Sequence, residues 1–499
     1  MDKPGGAPPA ELRKALHLRH LIMLSVGGTI ASGFLLFAGS ALEIAGPSVL
    51  ISYIVGGIVA FAVMACLAEL CVAKPVAASF ATYARDAMGK LAGFLTGWNY
   101  WLAWVMGAAT ESVAAGTYLH SFYAAVPVWL VAFIIIALEM TINVIGVLFM
   151  GEYEFVLSSI KVLALAAFIV IGLMAILGIG FPSHGLSNYG VHGGFFANGE
   201  GAVLAALLTV FFAYAGIEMV SVAAEESVNP ARDVPRALFG TCAIVVGLFV
   251  LALAVLLAVT PWTAAGTSSS PFVDALRALH LQALAAILNW IVIVASVSSV
   301  DGAIYTASRM LFSMSRAGLF PRALARVNQR RKTPVVATAI TAGCAFVGAL
   351  LAYFFPTTAY AFVAGLSTFG FLFAWLMISL SQPLHRLRFG AAWVAKLRWK
   401  TPLYPLTPIV AIVFIMIALV GQFFTGGAGT PLGPVTIPGG GIAIVVGVAW
   451  SVLWAIYYYA YGRRLTHGEA WADRERELHA AYELERSGEA GTVVSDPAE

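Results

Sequence analysis

The sequence predicts an all-α integral membrane protein of about twelve transmembrane helices. Three observations carry that expectation. Apolar residues make up 60% of the 499, and charged residues only 11%, where a soluble domain is roughly half apolar and a quarter charged. That apolar surplus needs a bilayer as solvent, because no soluble interior of this chain could hide it. The apolar residues also fall into twelve runs near spanning length, and the cationic residues gather on one of the two faces those runs define.

A spanning helix takes about 20 mostly apolar residues. Read in order, the candidates are 20–44, 48–72, 91–120, 127–147, 154–179, 201–224, 237–260, 281–313, 335–355, 358–381, 405–425 and 438–461. The first run is too long for the core of a leader peptide. Met1 to Ala10 before it is polar and contains proline, so no cleavable leader is expected. Forty-nine glycines suit close helix packing, and twelve tryptophans suit the bilayer interfaces. Trp98, Tyr100, Trp101 and Trp104 in the third run read as packing or belt aromatics.

Charge placement tests the count. With the N-terminus inside, all of the 28 Lys and Arg fall on the inner face except three. Arg277 falls outside, and Lys161 and Arg309 lie within runs. A miscounted run would scramble this pattern, so both termini are expected in the cytoplasm and the protein in the cell membrane. The net charge of +3 is therefore a topology signal, and nothing points to nucleic acid. Residues 1–19 form a cytoplasmic tail, 20–461 the membrane domain and 462–499 a second cytoplasmic tail. In that second tail 472–486 is charged and helix-prone, and 487–499 reads as disordered. The stretches 267–271 and 426–440 read as external loops. Cys66, Cys71, Cys242 and Cys344 match no metal motif and read as packing residues. The nine histidines are scattered, so neither a metal nor an enzyme reading arises.

Two runs carry helix-breaking patterns: Gly27-Gly28-Thr29-Ile30-Ala31-Ser32-Gly33 in the first, and Phe212-Ala213-Tyr214-Ala215-Gly216 in the sixth. Interrupted segments at corresponding positions of two halves point to a transporter's binding site. Unwound backbone at membrane depth is tolerated only around a cavity or inside protein. A new helix N-terminus offers N–H donors and partial positive charge to a carboxylate. Freed carbonyls suit an ammonium, so a zwitterionic amino acid fits both. The competing reading is that these glycines only let helices pack closely.

The residues then resemble a known family over nearly the whole membrane domain. LSVGGTIASG (24–33) is similar to the first-helix signature of amino-acid permeases, and residues 73–116 to the family's second loop and third helix. GEYEFVLSSIKVLALAAFIVIG (151–172) matches its fifth helix. FFAYAGIEMVSVAAEESVNPARDVPRAL (211–238) matches the sixth helix and its loop, and ASRMLFSMSRAGLFPRALARVN (307–328) the end of the eighth. On these five blocks the chain resembles bacterial amino-acid permeases of the amino acid–polyamine–organocation superfamily. The sequence departs from the family pattern at Ala31-Ser32-Gly33, usually Gly-Thr-Gly, and at Asp301, often Asn. It departs again at Glu225, where Gly is often seen. The resemblance implies a LeuT-like fold, with two inverted five-helix repeats plus two peripheral helices, and amino-acid uptake, commonly with protons.

Ionisable residues inside spanning helices are costly and default to functional candidates. Lys161, by resemblance, stands where sodium-coupled relatives hold a sodium ion, and is the first candidate for coupling. The competing reading is a lysine that snorkels to the interface. Glu111, among small neighbours, can relay a proton, and Glu218 follows the second break. For each the alternative is a hydrogen-bonded packing carboxyl. Asp301 is a candidate for a substrate amine or a proton, or for helix packing. Glu139 and Glu69 read as structural or gating residues, and Arg309 as a gate anchor. By resemblance, Phe212 matches an aromatic lid over bound substrate, flanked by Tyr214.

These readings combine into proton-coupled amino-acid import by alternating access, with no cofactor and the proton as coupling ion. Backbone groups of Gly28, Thr29, Ile30 and Gly33 are expected to hold the carboxylate, and carbonyls among Phe212 to Gly216 the amine. Exchange of amino acid for amine in the same fold, and a non-transporting amino-acid sensor, are the alternatives. Neutral amino acids are the default substrate. Cationic amino acids, proline, histidine and 4-aminobutyrate stay open, as does the oligomeric state.

Overall fold

The computed structural model describes residues 12–36, 38–74, 79–182, 185–264, 270–316, 320–354, 359–397, 399–424, 430–432, 435–437 and 439–462. Residues 1–11 of the first expected tail, nearly all of the second, and parts of the two expected external loops lie outside these residues.

Each of the twelve expected runs meets a helix or a broken pair of helices. The second to fifth are α4 (Val49–Ala73), α6 (Lys90–Phe122), α7 (Val128–Ile145) and α8 (Val147–Leu177). The seventh and eighth are α11 (Pro230–Val259) and α13 (Gln282–Arg316). The last four are α14 (Val335–Phe354), α15 (Ala359–Lys396), α16 (Leu406–Phe424) and α17 (Gly439–Tyr457). Among the described residues, nine helical runs are long and apolar enough to cross a membrane. Their outward faces are apolar: Ile58, Leu163, Leu251 and Val347 are all more than half exposed, as suits side chains solvated by lipid.

The first run is broken. α1 (Leu18–Thr29) stops, Ile30 and Ala31 are extended, and the chain resumes as α2 (Ser32–Leu35) and α3 (Ala38–Ala45). The sixth run is broken too. α9 (Gly201–Tyr214) ends at an extended Ala215, Gly216 adopts φ +114°, and α10 (Met219–Val222) follows. Only glycine takes that φ without strain. Ser25 ties the breaks together by donating to the carbonyls of Gly216 and Ile217, both at 2.9 Å. α1 lies among α8, α11 and α13, while α6 runs along α13 and α15.

Two short helices go beyond the sequence expectation. α5 (Ser79–Met88) lies inside a charged loop, and α12 (Pro271–Ala278) closes the opposite face. In the 426–440 stretch, Thr430–Leu432 and Val435–Ile437 pair as antiparallel strands β1 and β2. α15 runs well past the expected end near 381, to Lys396, with a kink at Gly390. Its extension is anchored by Arg386, whose Nε donates to Glu69 Oε1 at 2.7 Å on α4; Glu69 is fully buried.

Candidate functional site

The two breaks form one locus. A Cβ on Gly216 would lie 2.8 Å from Thr29 Oγ1 and 3.1 Å from the carbonyl carbon of Gly28, so the unwound backbone of the sixth run is in direct contact with the last turn of α1, where the first break begins. A Cβ on Gly33 would meet the Phe212 ring at 3.2 Å and the Ala213 Cα at 3.6 Å. Phe212 therefore covers the first turn of α2, where first-turn amides lack partners within the helix. Tyr214 points away: its hydroxyl donates to the Tyr53 carbonyl at 2.9 Å and its ring packs on Phe249.

Lys161 is buried, 1% exposed, and does not reach an interface. Its Nζ donates to the carbonyls of Gly27 (2.6 Å), Ile30 (3.1 Å) and Ala295 (3.3 Å). An ammonium has three donors, and here each meets a carbonyl, two of them on the broken first segment. The Ile30 amide is also occupied, donating to the Val26 carbonyl at 2.8 Å. Both backbone groups of Ile30 are thus engaged within the protein.

Glu111 caps α2, accepting from the Ser32 amide (3.1 Å) and hydroxyl (2.8 Å). A carboxylate at a helix N-terminus is electrostatically favoured, so Glu111 fixes the direction in which the chain leaves the break. Glu218 holds the other break. It accepts from Tyr100 Oη (3.0 Å), Trp375 Nε1 (3.0 Å) and the Gly216 amide (3.2 Å). Tyr100 and Trp375 are site residues that the sequence does not single out: Tyr100 sits in an aromatic cluster that reads as packing, and nothing marks Trp375 among 12 tryptophans.

Asp301 lies apart from the contact between the breaks. On α13 it is Gly302 that faces Gly28 and Met219. Asp301 turns to α7, where its Oδ1 accepts from Asn143 Nδ2 at 2.6 Å. Glu154, about two turns from Lys161 on α8, accepts from Ser158 (2.8 Å) and Ser298 (2.5 Å). Its Oε1 lies 1.6 Å from where a Cβ on residue 27 would sit, so only glycine fits there. Nearer the face from which Leu12 enters, Arg309 pairs with Glu226 at 3.3 Å and stacks over Tyr305. Arg316 binds Glu225 through two hydrogen bonds, at 2.6 and 2.7 Å. The Glu226 carbonyl accepts the amides of Ala15 and Leu16. The ends of the sixth and eighth segments and the N-terminal strap are thereby joined in one polar layer.

Among the described residues no group of His, Cys, Asp and Glu is arranged to hold a metal ion.

Residues 20–467 match the family described as amino acid permease. The chain is similar to the uncharacterized amino acid permease YtnA of Bacillus subtilis (strain 168), 33% identical over 467 residues, covering 93% of this chain and 98% of that one. It is 34% identical to amino-acid permease RocC of the same organism over 466 residues, 92% and 96% of the two chains. A gamma-aminobutyric acid permease of Escherichia coli (strain K12) is 36% identical over 422 residues, 83% and 90% of the two chains.

Proposed function

Since this chain belongs to the amino acid permease family, carrying amino acids across a membrane and not an enzyme, we propose that it imports them as a proton symporter. It would do so by alternating access through the paired breaks, in the cell membrane, with both termini in the cytoplasm. The family implies a LeuT-like fold. The breaks in the first and sixth segments agree with two inverted five-helix repeats followed by two peripheral helices.

The observation that carries the coupling reading is the Lys161 cage. A fixed ammonium sits in a set of three carbonyls that would otherwise suit a bound cation. Loss of its proton withdraws a charge-assisted hydrogen bond from both Gly27 and Ile30, each worth about 1.5–3 kcal/mol. That is enough to bias a segment already unwound between α1 and α2. The substrate carboxylate would be held by backbone of Gly28, Thr29 and Gly33. The amine would be held by carbonyls near Phe212 and Ala215, with Phe212 over both. Glu218 and Glu111 shape the two breaks from behind.

The test is uptake of labelled amino acids into proteoliposomes with and without an inward proton gradient. The panel holds neutral and cationic amino acids, proline, histidine and 4-aminobutyrate, the last because an E. coli relative is named for it. Gradient-dependent accumulation is expected, lost in Lys161→Ala. Release of preloaded label only when external amino acid or amine is added would instead identify an exchanger.

A further inference from the structure

Three buried carboxyl groups lie on the Leu12 side of Lys161, and none of them is needed to hold the breaks. Glu154 on α8, Asp301 on α13 and Glu139 on α7 are each fully buried. Each has one oxygen with a donor: Ser158 and Ser298 for Glu154, Asn143 for Asp301, and Tyr153 Oη at 2.9 Å for Glu139. In each the second oxygen (Glu154 Oε2, Asp301 Oδ2, Glu139 Oε2) has no hydrogen-bond partner. A buried, unpaired carboxylate oxygen is costly in a membrane interior. Glu154 takes a hydrogen bond from Ser298 of α13 at 2.5 Å, and Asp301 stands one turn along the same face of that helix, so the two carboxyl groups are neighbours. Two carboxylates there would repel and leave two acceptors without a donor, whereas one shared proton satisfies both.

The charges around the pair are disposed to move that proton. Above it on α8 is Lys161, seven residues or about 10 Å along the helix. Gly27 of α1 joins the two, since its carbonyl accepts from Lys161 and its Cα abuts Glu154. Below, from α13, is Arg309, already committed to Glu226. From α7 come Asn143 and Glu139, and from α8 Tyr153. Glu111 on α6 lies beyond Lys161, at Ser32.

We propose that Glu154 and Asp301 form a shared-proton carboxyl pair that receives the coupling proton from Lys161 and passes it toward Glu139 and the cytoplasm. In the transfer an N–H bond of the Lys161 ammonium breaks and an O–H bond forms on the pair. The amine becomes neutral, the pair loses one negative charge, and total charge is unchanged. Glu139, with its own unpaired oxygen, is the next acceptor. This rests on the proton-symport reading above.

Glu154→Gln and Asp301→Asn keep shape and hydrogen-bonding capacity but cannot share a proton. In proteoliposomes each is expected to lose gradient-driven accumulation, so that label only equilibrates, while substrate counterflow persists. Infrared spectra of the wild-type protein at neutral pH should show a protonated carboxyl C=O stretch that disappears in either variant. If wild-type uptake follows the gradient and both variants still concentrate substrate, the pair is overturned and symport stands. If wild-type uptake ignores the gradient, symport fails. The C=O band then decides the pair alone, since its absence from the wild type overturns the shared proton. Because the band is read on wild-type protein, a variant that does not fold leaves the test intact.

Discussion

Gly216→Ala is the sharpest test of how the two breaks are built. At φ +114° a Cβ is strained whatever the space around it, and holding a non-glycine residue in such a region costs about 1–3 kcal/mol. Space is lacking as well. The new methyl would sit 2.8 Å from Thr29 Oγ1, 3.1 Å from the Gly28 carbonyl carbon and 3.2 Å from the Thr29 amide nitrogen. Two of these are backbone atoms of α1, and the third, the Thr29 hydroxyl, is tied down by donating to the Ser25 carbonyl at 2.8 Å. Over-packing of this kind costs about 1–3 kcal/mol. The sum, about 2–6 kcal/mol, corresponds at its lower end to roughly a 30-fold loss of the native arrangement. The assay pairs thermal unfolding in detergent with initial uptake rate in proteoliposomes, and both should fall. Gly247→Ala is the control. That glycine lies inside α11 with nothing within 4 Å of its added Cβ, so the change should be neutral or stabilise by up to about 1 kcal/mol. A Gly216→Ala protein that unfolds and transports like the wild type would refute the contact between the breaks.

Two more predictions concern the charged layer near the Leu12 face. Glu69→Ala should destabilise by about 3–5 kcal/mol by stranding Arg386, which is 12% exposed. Glu69→Leu with Arg386→Met should cost less than the two single changes added, and strict additivity in the double-mutant cycle would show that the pair is not coupled. Asp86 lies outside the spanning segments, on α5. Burial opposes its charge, but Arg85 and Lys74 outweigh burial and hold the carboxyl below its ordinary value. Its contribution is therefore fully present above the unfolded-state value of about 3.9 and is lost as pH falls through the lower folded-state value. Asp86→Asn should lower the unfolding temperature by a constant amount from neutral pH to mild acid, and the gap should close only in strong acid. A gap that closes as pH rises would contradict this sign.

The helical architecture was legible because bilayer thickness fixes run length and positive charges mark one face; both are properties of local sequence. The breaks were legible for a similar reason, since Gly27-Gly28 and Gly216 stand out in apolar runs. Long-range partners were not. Nothing near Trp375 in sequence says that its indole reaches Glu218, and Tyr100 sits in a cluster of aromatics whose other members pack, as Trp98 does on Trp454 at 3.9 Å. Asp301 illustrates the limit most clearly. Its helix faces the breaks, but a step of one residue, about 100° around a helix, decides between Gly28, which Gly302 faces, and Asn143, and only tertiary packing fixes that rotation. Glu154 lies in a block that stands out for its lysine, and only the packing of α13, which brings Ser298 within 2.5 Å, reveals its place. The extension of α15 past 381 was hidden because a cationic stretch reads as loop until the buried partner of Arg386 is known.

The most direct test of the account is the internal pH of weakly buffered proteoliposomes holding the wild-type protein, followed by a trapped dye with no gradient imposed. Adding the transported amino acid outside should acidify the lumen at a rate that tracks uptake of label, and Lys161→Ala should abolish the signal. Uptake of label with no change in internal pH would contradict proton symport.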